Sequence, residues 1–167
     1  MDKIENTEKN LVIIDGYNMI NKWKEWRKLL ENGEKGDLRM KFIEKIRVYT
    51  KRFPNLEALV IFDGKIQKKF EWDKDKVKVI FSGENTSADD RIIEFYMNYK
   101  DRYKKIIVIT EDKKVFNKIE SLGGISIRSN DLRKKLELTP SKSIAKNLAI
   151  KINPNKRENR INLLNQL

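Results

Sequence analysis

Four near-continuous apolar runs interrupt an otherwise strongly polar chain. "LVII" (Leu11–Ile14), "LVIF" (Leu59–Phe62), "VKVIF" (Val77–Phe81) and "IIVIT" (Ile106–Thr110) each predict a strand covered on both faces, and "ISI" (Ile125–Ile127) predicts a short fifth. Between them the apolar positions switch to helical spacing. Leu38, Phe42, Ile46 and Tyr49 predict a helix capped by Asp37 and stopped before Pro54. Ser87 is placed to cap "ADDRIIEFYMNYK", with Ile92, Ile93, Tyr96 and Met97 as its inner face. Val115, Ile119 and Leu122 form a third stripe, ended by Gly123-Gly124, and "SNDLRKKLEL" a fourth helix with Asn130 or Asp131 as its cap. "NKWKEWRKLL" also reads as helical, and Asn153-Pro154 as the start of a short helix carrying Ile161 and Leu164. Strands alternating with helices predict an α/β fold around a mostly parallel sheet.

Composition narrows the chemistry. The 167 residues include no cysteine and no histidine. Thiolate nucleophiles, disulfides, the usual zinc sites and histidine-based triads are therefore excluded. If the chain is an enzyme, a hard cation on oxygen ligands is the leading candidate. No apolar run approaches a membrane span, and the polar N-terminus does not resemble a signal peptide, so a cytoplasmic location is expected.

A net charge of +12 points to a polyanionic partner, although a lysine-rich composition would give the same sign. The charge is uneven. Lys65–Lys78 carries six lysines against three acids around Phe70 and Trp72, so that Lys65, Lys68 and Lys69 are candidate phosphate contacts beside aromatics suited to stacking. Residues 139–167 carry six basic side chains against one glutamate and read as a basic extension to a domain spanning 1–138.

Open parallel sheets bind ligands beyond the carboxyl ends of their strands. There this sequence places acids repeatedly: Asp15 after the first strand with Asn18 three residues on, Asp63 after the second, Asp89 and Asp90 behind the third, and Glu111-Asp112 behind the fourth. Each alone is ordinary turn or helix-start chemistry. Together, in so basic a protein, they mark a site. Asp89 shares its helix face with Ile92, Ile93 and Tyr96 and is expected to point inward, whereas Asp90 completes a cap with Ser87. Clustered acids repel unless a cation is present, and Mg²⁺ or Mn²⁺ suits them. Asp15 then reads as a metal ligand and Asn18 as a group that orients a metal-bound water or a phosphate.

The motifs "DGYNMI", "VIFDG", "ENTSADDRIIEF", "VITED" and "GGISIRSNDLRKKL" follow one another as in the YacP-like NYN family, which the chain resembles from Leu11 to Leu138. The resemblance implies a PIN-like three-layer α/β/α sandwich and a ribosome-associated endoribonuclease acting on mRNA. It implies Asp15, Asp89 and Asp112 as the catalytic, metal-holding centre, with Asn18, Asp63 and Asp90 in support. Arg39 and Arg128 match positions where the family tends to keep arginines, as RNA contacts or as structural ion pairs. One departure is "TED" where the family usually reads Thr-Ser-Asp, which puts Glu111 beside the site.

The expectation is thus an Mg²⁺- or Mn²⁺-dependent endoribonuclease in which a metal-activated water attacks the phosphodiester. The competing readings are a non-catalytic RNA- or ribosome-binding module on the same fold, a PIN-type toxin nuclease and a structure-specific DNA nuclease.

Overall fold

A computed structural model describes residues 7–33, 35–65 and 76–137. Its elements run β1 (Thr7–Asp15), α1 (Gly16–Asn21), α2 (Lys24–Glu31), α3 (Lys35–Lys51), β2 (Leu56–Phe62) and β3 (Val77–Phe81). They continue with α4 (Ala88–Tyr99), β4 (Tyr103–Ile109), α5 (Lys113–Ser121), β5 (Ile125–Ile127) and α6 (Ser129–Glu137). Lys68, Lys69, the extension 139–167 and the helix expected after Asn153 lie outside the described residues.

The five strands form one sheet in the order β3-β2-β1-β4-β5, and every pairing is parallel. The sheet expected to be mostly parallel is therefore wholly so among the described residues. Alternation along the strands sorts the apolar side chains into two cores. Val12, Ile14, Val60, Phe62 and Ile107 face α1, α2, α3 and α6 through Met19, Trp23, Phe42, Ile46 and Leu132. Leu11, Ile13, Leu59, Ile61 and Val108 face α4 and α5 through Ile92, Tyr96, Val115 and Ile119. The result is the expected α/β/α sandwich.

Order matters more than layering for function. The chain moves from β1 outward to β2 and β3, then returns across β1 to lay down β4 and β5 on its other side. The direction of winding reverses between β1 and β4, and in open parallel sheets that reversal opens a crevice at the strands' carboxyl ends. Asp15, the last residue of β1, stands at its lip.

Several local expectations are corrected. α3 begins at Lys35, so Asp37 is its third residue and not its cap. The helix ends at Lys51, and Lys76 donates from Nζ to the carbonyls of Thr50 (2.7 Å) and Phe53 (2.5 Å) just beyond. α6 begins at Ser129, which puts Asn130 and Asp131 in its first turn. Met97 is 42% exposed, since five residues beyond Ile92 it has rotated off the buried stripe. Gly16 opens a helix, α1, directly after β1.

Candidate active site

The crevice is built from strand ends and helix starts. Gly16 follows Asp15 because nothing larger fits: a Cβ there would run into the Phe62 ring. That close approach lets α1 start directly from β1 and brings Asn18 back over Asp15, where Nδ2 donates to Oδ2 at 2.6 Å. Asp15 is 2% exposed. Burial pushes its pKa up to about 7; the Asn18 hydrogen bond opposes this, and the charges of Asp89 and Asp63 add to it.

Asp89 lies in the first turn of α4, half-buried. Its pKa is also raised, first by burial and then by Asp112, Asp63 and Asp90. Asp15, at the end of β1, thus stands within the field of Asp89, at the start of α4, although the sequence separates them widely. Asp63 does a different job. Its Oδ1 accepts the Ala88 N–H at 2.6 Å, so a residue following β2 anchors the first residue of α4 and sets where Asp89 stands. Asp90 exchanges hydrogen bonds with Ser87: its N–H donates to Ser87 Oγ at 3.1 Å and Ser87 Oγ donates to Oδ2 at 3.0 Å.

Asp112 caps α5, accepting the Val115 N–H at 2.9 Å, while its own N–H donates to Thr110 Oγ1 at 3.1 Å. Glu111, beside it, turns away toward α6. It accepts the Ser129 N–H at 2.8 Å and stands 3.9 Å from Lys22 Nζ. The departure from the family pattern therefore supplies a helix cap in place of a further acid in the crevice.

The arginines are held by aromatic partners. Arg39 donates to Tyr17 Oη at 3.2 Å with its guanidinium 5.4 Å from the Phe81 ring centre. Arg128 stacks 4.2 Å over Phe116 and donates to the Glu111 carbonyl at 3.1 Å, fastening the loop that carries Asp112. Lys65 pairs with Glu84. Thr110, Tyr17 and Ser82, which donates nothing to periodicity, were not legible as site neighbours in the sequence. Ser82 Oγ accepts the Gly64 N–H at 3.1 Å and closes the β2 and β3 ends together.

The donors here are carboxylate oxygens, with an amide behind them. That set fits a hard divalent ion, which commonly takes one or two carboxylates and keeps waters for the rest. Two mutually repelling acids, one with its pKa near neutrality, are also what a bound cation would relieve. Among the described residues no three carboxylates converge closely enough to chelate an ion between them. Asp15 and Asp89 could hold one, with the charge of Asp112 felt at Asp89.

A family profile for the YacP-like NYN domain matches residues 12–166. The chain belongs to the YacP-like NYN family. The match runs on through the stretch read as a basic extension. Two crystal structures of Rae1 (YacP) from Bacillus subtilis share the fold. One superposes with a TM-score of 0.63 at 25% identity, covering 83% of this chain and 76% of that one. The other, a tryptophan-to-leucine variant, gives 0.62 at 22% identity and covers 90% and 89%. No curated protein matches the sequence. Membership of the NYN family carries a nuclease-type, RNA-related function.

Proposed function

We propose that this NYN-family chain is an endoribonuclease that hydrolyses phosphodiester bonds in mRNA with the help of Mg²⁺ or Mn²⁺, in association with the ribosome. The observation that carries the proposal is the burial of Asp15 at the point where the sheet's winding reverses, with Asp89 at the start of α4 and Asp112 at the start of α5 along the same edge. A divalent ion held there would polarise a water and offset the charge gathering on the phosphate.

The protein's own groups do the rest. Asp15 and Asp89 would hold the ion, with Asp112 as the third acid. Asn18 fixes the Asp15 carboxylate in one orientation, and Asp63 fixes the start of α4. The +12 charge favours capture of an RNA backbone. The ribosomal partner rests on family membership and that same charge.

A second reading draws on the capping roles of Asp63 and Asp112. Both carboxylates hold helix starts, so a module that binds RNA or the ribosome without cutting would retain them. The deciding experiment is cleavage of labelled mRNA with and without translating ribosomes, in Mn²⁺, Mg²⁺ or EDTA, with Asp15→Asn and Asp89→Asn beside the wild type. Discrete cuts lost in EDTA and in both variants support the nuclease. Silence in every lane with RNA still bound supports the binding module. Affinity for Mn²⁺ should also climb with pH up to about 7 and then level off, because the Asp15 proton must leave before the ion binds.

A further inference from the structure

At the opposite end of the strands from the crevice, α4 packs on β1, β2 and β4 and leaves the edge strand β3 beyond it. Between the end of α4 and that edge lies a groove of about 480 Å³. Its floor is apolar, made of Leu11, Leu59 and Ile80, and Tyr99 and Tyr103 form one wall. Its rim is basic: Lys9, Lys76 and Lys78 stand against a single acid, Glu57.

That acid is already satisfied. Lys9 Nζ donates to Glu57 Oε1 at 2.8 Å and Tyr103 Oη to Oε2 at 2.7 Å. Burial alone would raise the Glu57 pKa, but these two hydrogen bonds and the nearby lysine charges outweigh it and hold it low. Lys76 faces the end of α3, where its ammonium is held by backbone carbonyls. Lys78 is exposed, on the same strand face as Ile80.

We propose that this groove binds a single-stranded stretch of RNA, with a base laid on the apolar floor against the tyrosines and a phosphate on Lys78. A groove lined by aromatics and lysines is the combination that holds single strands without reading their sequence. Charge complementarity selects the occupant, since three lysines against one acid leave a net positive rim, with Lys78 the exposed cation, that favours a polyanion. The second pocket beside the end of α4, lined by Lys100, Lys104 and Lys105, extends the same basic surface around the helix. α4 connects groove and crevice: Asp89 lies in its first turn and Tyr99 ends it ten residues later, about 15 Å along the axis. The inference rests on the nuclease reading in that the groove would hold RNA flanking the cut.

The test is binding of a fluorescent single-stranded oligouridylate to the full chain in EDTA, so that no strand is cut, followed by anisotropy. Lys78→Glu should weaken binding by about tenfold, whereas Lys45→Glu, an equal charge change on the exposed face of α3, should weaken it by less than about twofold. Thermal melts confirm that both variants fold, and 4-thiouridine crosslinks should map to peptides containing Tyr99 or Tyr103. Equal losses in the two variants would overturn the groove. So would equally tight, Lys78-dependent binding of duplex RNA, or displacement of the RNA by polyglutamate at matched charge, which would mark a surface for an acidic protein. The two readings fail separately. Lys78-dependent binding in a chain that cuts nothing with any metal removes the nuclease and keeps the groove; cleavage with no Lys78 effect does the reverse.

Discussion

Asp15 holds its charge at an energetic disadvantage, and the sign of that disadvantage can be measured. Its folded pKa is about 7 against an ordinary value of 3.8. Between those values the folded chain keeps a proton that the unfolded chain has released, so stability falls as pH rises through the window. Above about pH 7 the whole penalty applies, on the order of a few kcal/mol. Asp15→Asn removes the titration and leaves an acceptor for Asn18 Nδ2. The variant should therefore melt several degrees above the wild type near pH 8, with the two curves converging near pH 4. A lower melting point near pH 8 would mean that a structural partner holds the carboxylate. Gly16→Ala should move the other way, losing about 1–3 kcal/mol as its Cβ presses on the Phe62 ring, as urea titration would show. The sequence showed the aspartate and the glycine plainly. It did not show that the glycine is there for contact with Phe62, because that contact joins residues far apart in the chain.

At the scale of elements, α4 is held at its start by three side chains. Ser87 and Asp90 are local, and both were legible as a cap from their spacing. Asp63 reaches in from the end of β2, 25 residues away by number, and no local pattern announces it. Ser87→Ala should cost about 1 kcal/mol. Asp90→Ala on top of it should add less than its own single effect, because the two residues share one pair of hydrogen bonds. Asp89→Asn, one position earlier, should leave stability unchanged or raise it, since burial and three neighbouring acids already disfavour its charge. Opposite signs at adjacent aspartates, read by chemical denaturation, would separate the capping residue from the proposed metal-holding one. A loss from Asp89→Asn equal to that from Asp90→Ala would remove Asp89 from the centre. Glu111 follows the same logic as Asp63. Its cap on α6 depends on β4 and β5 lying side by side, and only the folded sheet brings Ser129 to it.

Across the whole molecule, the apolar runs were enough to read five strands and a parallel sheet, but not the order in which those strands lie. Order comes from how the crossovers pack, and it is order that puts β1 beside both β2 and β4 and makes Asp15 the centre of the acid edge. It also polarises the protein. Asp15, Asp63, Asp89 and Asp112 gather at the carboxyl ends of the strands, while Lys9, Lys78, Lys104 and Lys105 lie toward their beginnings. An RNA drawn in by the net charge of +12 would meet repulsion at the acid edge unless a cation is bound there, and attraction elsewhere. Salt should therefore act mainly on capture. If about three phosphates are neutralised, single-strand affinity falls with a log–log slope near −2, or roughly twentyfold between about 50 and 200 mM salt. If the chain cuts RNA as proposed, the rate of cutting at saturating RNA should change far less over that range, because an ion held by carboxylates at close quarters would be screened much less than surface contacts. Steady-state kinetics at several salt concentrations would resolve the two. KM should climb steeply while kcat holds nearly level. A kcat that fell in step with RNA affinity would show that the basic surface positions the scissile bond as well as holding the strand.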